Sequence, residues 1–377
     1  MDEPLPDPGP RSEGHVDSDD TDAGRGPRRL GRLEVPVAGL GTNNFGRRMD
    51  ETRSREVVSA ALDSGVTFID TADIYGDGRS EEYLGRALDG RRDQAVVATK
   101  FGMGRPPEGL TGGHPEYVRR SCEGSLRRLG TDHIDLYLYH RPDPATPIAE
   151  TLGAMNELVA DGLVREIGCS NFSAEQLDEA DRVARGRGLR GFAVVQNEYS
   201  LLHREPEDGV LQACGRLGMA FVPYFPLASG LLTGKYRRGQ PAPQGARLAG
   251  EPPDDGRLAV VERLERYAAS HGHTLLELAL SWLARRPEIA SVIAGATSPA
   301  QVRANVSAVT AWPLSRRELV EIDALAPPAA ASDGPAGPSQ AAHNRSSREY
   351  HEANDGDGHD ACDGAVPPIP TNPRGDA

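Results

Sequence analysis

The sequence predicts a (β/α)8 barrel, and three observations support this fold class. Eight short apolar, β-branched runs recur between residues 29 and 326, each followed by a stretch whose apolar side chains have helical spacing. Strict alternation of strand and helix predicts a parallel sheet with right-handed crossovers, and 298 residues suit one such barrel. The glycines at 39, 41 and 46 lack the G-x-G-x-x-G spacing of an open doubly wound sheet.

A β-hairpin over residues 30–35 is predicted to precede the barrel and cover its bottom. The predicted strands are bounded by polar residues or glycine, and they span residues 37–41, 66–70, 95–99, 134–139, 164–169, 192–196, 220–223 and 291–294. The predicted helices span residues 51–64, 81–88, 115–129, 148–160, 174–187, 206–217, 257–271 and 275–285. Ser173 and Gln176 are spaced like a capping box at the start of the fifth helix.

Two acidic tails flank the predicted barrel domain, residues 29–326. Residues 1–28 and 327–377 each contain eight acids and three arginines, so together they carry ten of the fourteen net negative charges of the chain. Both segments are rich in Pro, Gly and Ser and have few large apolar side chains. Because such segments bury too little apolar surface to offset the entropy of ordering, we expect both tails to be disordered.

Composition excludes several classes of protein. A net charge of −14 argues against a nucleic-acid binder, which needs basic surface to neutralise phosphates. No apolar run approaches the roughly 20 residues of a spanning helix, and the first ten residues lack the features of a secretory signal. We therefore expect a cytoplasmic protein without a membrane or nucleic-acid partner. The four cysteines are 47, 45 and 148 residues apart, and neither they nor the acidic run 355–366 fits a metal site.

Four polar residues follow three neighbouring strands of the predicted barrel. Asp70 and Tyr75 follow the second strand, Lys100 the third and His140 the fourth, at the strand ends where barrel enzymes place their sites. Each residue alone has a structural explanation, as a cap, a packing residue or a core histidine. Lys100 is one of only two lysines among 42 basic residues. An ammonium differs chemically from a guanidinium, so this rare choice favours a functional role.

With these residues in place, the sequence resembles the aldo/keto reductase superfamily. The resemblance is to the group that includes the potassium-channel β-subunits and bacterial pyridoxal or glyceraldehyde-phosphate reductases. The matching motifs span residues 39–42, 68–76, 98–100, 141–143, 167–172, 196–200, 226–236 and 294–297. The resemblance implies reversible, NADP(H)-dependent reduction of small aldehydes, ketones or sugar carbonyls to alcohols.

The resemblance makes Asp70, Tyr75, Lys100 and His140 a catalytic tetrad. Tyr75 is the expected proton donor to the carbonyl oxygen. We expect Lys100 to lower the pKa of Tyr75 from its ordinary value of about 10, and Asp70 to keep Lys100 ionised. His140 is expected to orient the substrate oxygen.

The resemblance also implies the cofactor contacts. Ser170, Asn171 and Gln196 are expected to hold the nicotinamide carboxamide, and Tyr224 to stack on the ring. Further contacts are expected at Thr42, Asn43, Phe225, Pro226, Leu227, Ser229, Gly230, Lys235, Arg247, Gly295, Thr297, Gln301 and Asn305. Many NADPH-preferring relatives have Arg or Lys where this chain has Thr297 and Gln301, so either Arg303 substitutes for that cation or NAD(H) is an alternative cofactor.

The substrate pocket is predicted to be lined by Phe45, Ile74, Phe101 and Tyr199. Two other functions are compatible with the residues. One is a Schiff-base lyase that uses Lys100 as an amine nucleophile, and the other is a slow NADPH-binding subunit that senses redox state. The expected partner is a small carbonyl or alcohol substrate. The sequence assigns no particular substrate, reaction direction or oligomeric state.

Overall fold

A computed structural model describes residues 28–243, 247–248 and 254–328 of the chain. Its parallel strands are β3 (Ala38–Gly41), β4 (Phe68–Asp70), β5 (Val96–Phe101), β6 (Ile134–Tyr139), β7 (Val164–Ser170), β8 (Val194–Glu198), β9 (Ala220–Tyr224) and β10 (Val292–Gly295). They form one eight-stranded sheet in the order β10-β3-β4-β5-β6-β7-β8-β9. The predicted barrel is confirmed, with each strand bound within two residues of its predicted place.

The sheet comes close to full closure between its first and last strands in space. Phe221 of β9 forms a parallel bridge with Ile289, which lies shortly before β10. The amide of Phe221 donates to the carbonyl of Glu288 at 2.8 Å, and the amide of Ala290 donates to the carbonyl of Phe221 at 2.9 Å. These bonds remove most of the exposed sheet edge, as a barrel requires.

A hairpin covers one end of the barrel, as predicted. Strands β1 (Arg28–Leu30) and β2 (Leu33–Val35) pair antiparallel. Leu30 and Val35 are fully buried and belong to the same apolar cluster as the inward-facing Phe68, Leu136 and Val194. The hairpin therefore seals the bottom of the barrel and leaves the C-terminal ends of the strands as the open end.

Ten α-helices are found in the described residues. They are α1 (Glu51–Asp63), α2 (Arg79–Ala87), α3 (Pro115–Leu129), α4 (Ile148–Ala160), α5 (Ala174–Arg187), α6 (Val210–Leu217), α7 (Asp255–Ser270), α8 (Leu275–Ala284), α9 (Pro299–Val309) and α10 (Arg316–Leu325). The Ser173 and Gln176 capping box is present. Helix α6 begins later than predicted because Pro206 lies in a separate 3-10 turn, and α9 and α10 were not among the predicted helices.

Strand β5 shows how the barrel positions its polar residues. Val97 and Phe101 pack in the apolar layer between sheet and helices, whereas Ala98 belongs to the cluster inside the barrel. Side chains alternate along a strand, so Lys100 also faces inward, one layer above Ala98 and next to the open end.

The two predicted tails fall almost entirely outside the described residues. Residues 1–27 and 329–377 have no described structure, so disorder of residues 1–28 and 327–377 stays a prediction. Within the described part of the chain, no helix is both long enough and apolar enough to cross a bilayer.

Candidate active site

A buried ion pair joins β4 and β5 at the open end of the barrel. Lys100 Nζ donates to Asp70 Oδ2 at 2.7 Å and to the carbonyl oxygen of Thr71 at 2.8 Å. The other carboxylate oxygen of Asp70 accepts from Gln196 Nε2 at 2.8 Å. The side chains of Lys100 and Asp70 are 1% and 4% exposed. Each charge has further hydrogen bonds, which is what a buried pair needs to offset its lost hydration.

Tyr75 lies beside this pair and is half-buried. Its Oη is 3.5 Å from Lys100 Nζ. Burial raises the pKa of Tyr75 above its ordinary value; Lys100 lowers it, but does not offset burial and the nearby Asp70. Lys100 thus acts in the expected direction, but the expected shift of this pKa below its ordinary value is wrong, because desolvation disfavours the phenolate more than the ammonium favours it. Tyr75 accordingly keeps its proton at neutral pH.

Lys100 remains an ammonium in the same environment. Burial lowers the pKa of Lys100, but Asp70 and Tyr75 raise it by more, so the pKa lies above its ordinary value. A protonated amine has no lone pair for attack on a carbonyl carbon. The geometry thus suits a fixed positive charge rather than a nucleophile.

His140 follows β6 and is 7% exposed. Its ring centroid is 6.1 Å from that of Tyr75, with 79° between the ring planes. Its carbonyl oxygen accepts from Asn171 Nδ2 at 2.9 Å. The structure therefore brings together all four residues of the expected tetrad, Asp70, Tyr75, Lys100 and His140.

The residues expected to hold a carboxamide form one hydrogen-bonded group. Ser170 Oγ donates to the carbonyl oxygen of Gln196 at 2.7 Å and accepts from Asn171 Nδ2 at 3.1 Å. Asn171 Oδ1 accepts from Tyr224 Oη at 2.8 Å. Asn171 also has a left-handed backbone, with φ of 62°. The ends of β7, β8 and β9 thus present amide and hydroxyl groups with both donor and acceptor capacity.

The loop after β9 has an unusual backbone. Phe225, Ala228, Ser229 and Gly230 all have positive φ, at 51°, 46°, 57° and 95°. Positive φ is costly for residues with a Cβ, and such residues cluster at sites that bind ligands. Pro226 is buried, and Leu227 packs against the apolar core, so these two side chains anchor the loop to the core.

Two cationic side chains lie over this loop. A Cβ on Gly230 would be 2.9 Å from Lys235 Nζ, so the ammonium occupies the space that glycine leaves open. The guanidinium carbon of Arg247 is 5.0 Å from the centroid of the Phe225 ring. Both residues lie at the loop that the resemblance assigns to the cofactor phosphates, and their contact with a cofactor stays a prediction.

The remaining expected cofactor residues lie around the start of α9. Thr297 donates through both its amide and its Oγ1 to Gln301 Oε1, at 2.8 and 3.1 Å. Asn43 is close to Gly295, since a Cβ there would be 3.8 Å from Asn43 Oδ1. Asn305 is half-buried one turn after Gln301. This group presents polar side chains without a lysine or arginine among them.

One expected cofactor residue has a structural role instead. Thr42 is fully buried, and its Oγ1 donates to the carbonyl oxygen of Asp70 at 2.9 Å. It also lies within hydrogen-bonding distance of Ser80 Oγ. With no accessible surface, Thr42 fixes the backbone of Asp70 rather than contacting a bound molecule.

Three of the four expected pocket residues belong to the core. Phe45, Phe101 and Tyr199 each have no exposed surface. Phe101 stacks on Tyr137 with ring centroids 4.8 Å apart, because it alternates with Lys100 and faces the helices. These three predictions are wrong in this structure. Ile74 is half-buried beside the tetrad and stays a candidate.

The sequence did not identify two features of the site. The carbonyl of Thr71 binds Lys100, and no side-chain pattern announces a backbone contact of this kind. Arg47 and Arg48 are exposed on the loop after β3 and act electrostatically on Arg247. Their position after a barrel strand was a usable signal.

Comparison with known proteins agrees with this geometry. Residues 38–327 match the profile of the Aldo/keto reductase family. The chain is 36% identical over 312 residues to a probable voltage-gated potassium channel subunit beta of Oryza sativa subsp. japonica, covering 78% of this chain and 94% of that protein. It is 36% identical over 308 residues to aldo-keto reductase YhdN of Bacillus subtilis (strain 168), covering 78% and 90%.

A solved structure is similar over the same region. The glycerol dehydrogenase AKR11B4 from Gluconobacter oxydans superposes with a TM-score of 0.70 at 29% identity, over 82% of this chain and 99% of that one. Its barrel agrees with the fold described above. The chain therefore belongs to the aldo/keto reductase family, whose members are oxidoreductases that act on carbonyl compounds with nicotinamide cofactors.

Proposed function

We propose that this chain reduces small aldehydes, ketones or sugar carbonyls to alcohols with NADP(H), reversibly, and that Tyr75 is the proton donor. The observation that carries the proposal is the position of Lys100 Nζ, 2.7 Å from Asp70 Oδ2 and 3.5 Å from Tyr75 Oη. A neutral phenol beside a fixed ammonium is suited to protonating an oxygen that gains negative charge.

The side chains divide the chemistry among them. The nicotinamide, when bound, supplies the hydride to the carbonyl carbon. Tyr75 gives its phenolic proton to the oxygen, and Lys100 stabilises the phenolate that remains. Asp70 keeps Lys100 charged and directed at Tyr75 through its 2.7 Å bond. His140, across the mouth from Tyr75, orients the carbonyl oxygen.

The polar group at β7, β8 and β9 fits a nicotinamide carboxamide. Gln196 uses its Nε2 on Asp70, and Asn171 binds Tyr224. A carboxamide can replace the bond between Asn171 and Tyr224, since it offers one acceptor and two donors. The Tyr224 ring, released from that bond, is then available for stacking on the nicotinamide.

The adenosine end of the cofactor should be recognised without a cation at positions 297 and 301. Thr297 and Gln301 are neutral and bind each other, so a 2′-phosphate there meets hydroxyl and amide groups rather than a guanidinium. We expect NADPH to be used, with discrimination against NADH weaker than in a site with a paired arginine. Binding constants for the two cofactors, measured by fluorescence titration, test this expectation.

A Schiff-base mechanism at Lys100 is disfavoured by the geometry. The Lys100 side chain is 1% exposed, its ammonium donates to Asp70 and to the carbonyl of Thr71, and its pKa is raised. Incubation with aldehyde and borohydride, followed by mass spectrometry, should leave Lys100 unmodified. A substrate adduct on Lys100 would support the lyase instead.

Substitution of Tyr75 tests the proposed proton donor. Tyr75→Phe keeps the ring but removes the acidic hydroxyl, so kcat for a reactive aldehyde should fall by about 10²- to 10⁴-fold, followed by NADPH absorbance. The dissociation constant for NADPH should change little.

A matched control is Tyr83→Phe. Tyr83 is half-buried on α2 and is not among the proposed site residues, so the same loss of a hydroxyl should leave kcat within twofold of wild type. Retention of more than a tenth of wild-type kcat by Tyr75→Phe would contradict the assigned role.

A further inference from the structure

Three fully buried hydroxyl groups lie between the ion pair and helix α2. Thr42 follows β3, Thr71 follows β4, and Ser80 is the second residue of α2. None of the three residues has any exposed surface. Ser80 Oγ lies 2.9 Å from Thr42 Oγ1 and 2.9 Å from Thr71 Oγ1. Ser80 therefore joins the ends of two neighbouring strands inside the protein.

The partners of these hydroxyls fix the direction of each hydrogen bond. Thr42 Oγ1 donates to the carbonyl oxygen of Asp70 at 2.9 Å, since a carbonyl oxygen only accepts. For the same reason, Ser80 Oγ donates to the carbonyl oxygen of Thr42 at 3.1 Å. Each hydroxyl has one proton, so in the remaining pair Thr71 donates to Ser80. The bonds thus run in one direction, from Thr71 through Ser80 and Thr42 to the backbone of Asp70.

Both ends of this chain of bonds reach the ion pair of Lys100 with Asp70. The amide of Thr71 donates to the carbonyl of Ala98 at 2.8 Å, while the carbonyl oxygen of Thr71 accepts from Lys100 Nζ at 2.8 Å. The carbonyl of Asp70 accepts from both the amide and the hydroxyl of Thr42, at 3.0 and 2.9 Å. Side-chain hydroxyls therefore hold the two residues that accept from Lys100.

Ser80 also contacts the segment that carries the proposed proton donor. Its amide donates to the carbonyl oxygen of Tyr75 at 3.1 Å. Tyr75 Oη is in turn 3.5 Å from Lys100 Nζ. Ser80 thus binds the backbone that carries the phenol and, through Thr71, the carbonyl that holds the ammonium.

The position of the ammonium matters because the two reacting groups are so close. The energy between a phenolate and an ammonium 3.5 Å apart inside a protein changes steeply with their separation. A buried network whose members are hydrogen-bonded also restricts the motion of the groups that it joins. The network around Ser80 is therefore suited to keeping Lys100 where it stabilises the phenolate of Tyr75.

We infer that Ser80 is a positioning residue for the proposed reduction, because its hydroxyl holds Thr71 and Asp70 so that Lys100 Nζ stays beside Tyr75. The inference rests on the proposed function, since Ser80 acts through groups assigned to that reaction. Ser80 has no exposed surface that a substrate or cofactor could contact. Its hydroxyl should therefore affect kcat and leave ligand binding almost unchanged.

Removal of the hydroxyl tests this role. Ser80→Ala leaves the hydroxyl of Thr71 without its acceptor, so kcat for a reactive aldehyde should fall by about 5- to 50-fold through misplacement of the ammonium. KM for the aldehyde and the dissociation constant for NADPH should stay within twofold of wild type. Steady-state kinetics and fluorescence titration measure these values.

A pair of substitutions at Thr71 separates the hydrogen bond from packing. Thr71→Val has a similar shape but cannot donate to Ser80, so its kcat should fall as in Ser80→Ala. Thr71→Ser loses a methyl group and keeps the donor, so it should recover most of the lost kcat. These two variants also test the inference if Ser80→Ala fails to fold.

The matched control is Ser281→Ala. Ser281 lies on α8, is 1% exposed and is not among the proposed site residues. Its Oγ donates to the carbonyl of Ala308 at 2.9 Å and accepts from the amide of Trp312 at 3.2 Å. Loss of this buried hydroxyl should lower the urea midpoint about as much as Ser80→Ala does, with kcat within twofold of wild type.

The scarcity of lysine allows the ammonium to be observed directly. The chain has two lysines, Lys100 and Lys235, so ¹⁵N labelling of lysine Nζ gives at most two side-chain NMR signals, and Lys235→Arg assigns them. The Lys100 signal should exchange slowly with water, because its side chain is 1% exposed and donates to Asp70 and Thr71. This readout needs neither substrate nor cofactor.

Ser80→Ala and Thr71→Val should shift the Lys100 signal and make its hydrogen exchange several-fold faster, whereas Ser281→Ala should change neither. If Ser80→Ala lost stability but kept kcat within twofold and the wild-type Lys100 signal, Ser80 would have a structural role only and the inference would be wrong. Equal kcat in Thr71→Val and Thr71→Ser would overturn it as well. If the wild-type chain reduced no aldehyde, the proposed function would fail, while the Lys100 signal would still show whether Ser80 positions the ammonium.

Discussion

Both ends of the barrel bury a carboxylate beside cations, but they do so differently. At the open end, Asp70 binds Lys100, and the two side chains are 4% and 1% exposed. At the closed end, Asp135 at the start of β6 is 1% exposed and accepts from Arg92 at 2.6 Å and from Arg165 at 2.7 Å. Those two arginine side chains are 20% and 57% exposed.

The difference matches two roles: the ion pairs of Asp135 stabilise the fold, whereas the ion pair of Asp70 and Lys100 belongs to the proposed catalytic site. Arginines reach Asp135 from the surface, where their long side chains remain partly hydrated, and they bind no other ionisable group of the proposed site. Lys100 lies inside the barrel, where its Nζ contacts both Asp70 and Tyr75. The compact ammonium fits this enclosed space, where a planar guanidinium needs more room and a different set of acceptors.

Exchanging the cation at the open end is the strongest test of this contrast. Lys100→Arg should lower kcat/KM for aldehydes by about 10²-fold or more, because the larger group cannot hold its charge at the same point beside Tyr75. It should also cost about 1–3 kcal/mol of unfolding free energy through overpacking. Steady-state kinetics and urea denaturation measure the two effects.

The reciprocal exchange at the closed end is the control. Arg165→Lys changes a half-exposed partner of Asp135, so activity should stay within twofold and stability within about 1 kcal/mol. The contrast between the ends collapses if Lys100→Arg retains kcat/KM within fivefold of wild type.

Removing the buried carboxylate at the closed end should affect stability alone. Asp135→Asn weakens contacts with Arg92, Arg165 and the amide of Val97, so the unfolding free energy should fall by about 1–3 kcal/mol with kcat/KM unchanged. Urea denaturation and NADPH-coupled kinetics measure this. Asp132→Asn, at a 94% exposed side chain nearby, should stay within about 0.5 kcal/mol. A large loss of activity in Asp135→Asn would show that the two ends are coupled.

The barrel and the convergence of polar residues at its open end could be predicted because both follow from strand patterns. Asp70, Lys100 and His140 lie where apolar strands end, and parallel strands bring those ends together. The errors at Phe101 and Tyr199 came from treating every aromatic residue near a strand end as facing the pocket. Phe101 follows Lys100 directly, so alternation already required the opposite direction.

Other features had no signal in the sequence. Phe225, Ala228 and Ser229 adopt left-handed backbone conformations that residues with a Cβ rarely prefer, so composition gives no warning of them. The pKa of Tyr75 depends on the balance of burial against Lys100, which requires the packed structure. Long-range packing decides both properties.

A third carboxylate, Asp73, lies near Lys100 and Arg128 but forms no ion pair with either. Its amide donates to the carbonyl oxygen of Lys100 at 3.2 Å, but its buried Oδ1 has no hydrogen-bond partner. Burial, and after it the nearby Glu81, raise the pKa of Asp73 to about 7 against the opposing effects of Arg128, the backbone of Ile74 and Lys100. Arg128 donates instead to Glu81 at 2.6 Å. Asp73 therefore titrates in the neutral range.

Replacement of Asp73 should change how the unfolding free energy depends on pH, because the pKa of Asp73 is raised in the folded chain. Between about pH 4 and 7 the unfolded chain releases the Asp73 proton and the folded chain keeps it, so wild-type stability falls as pH rises through this window. Asp73→Asn lacks this titration and should gain on the order of 1–2 kcal/mol relative to wild type between pH 5 and pH 8. Urea midpoints at both pH values measure the gain. Asp77→Asn, at an exposed carboxylate in the same loop, should show no such change. An identical difference between Asp73→Asn and wild type at both pH values would mean that Asp73 keeps one protonation state over this range, which would contradict the expected titration.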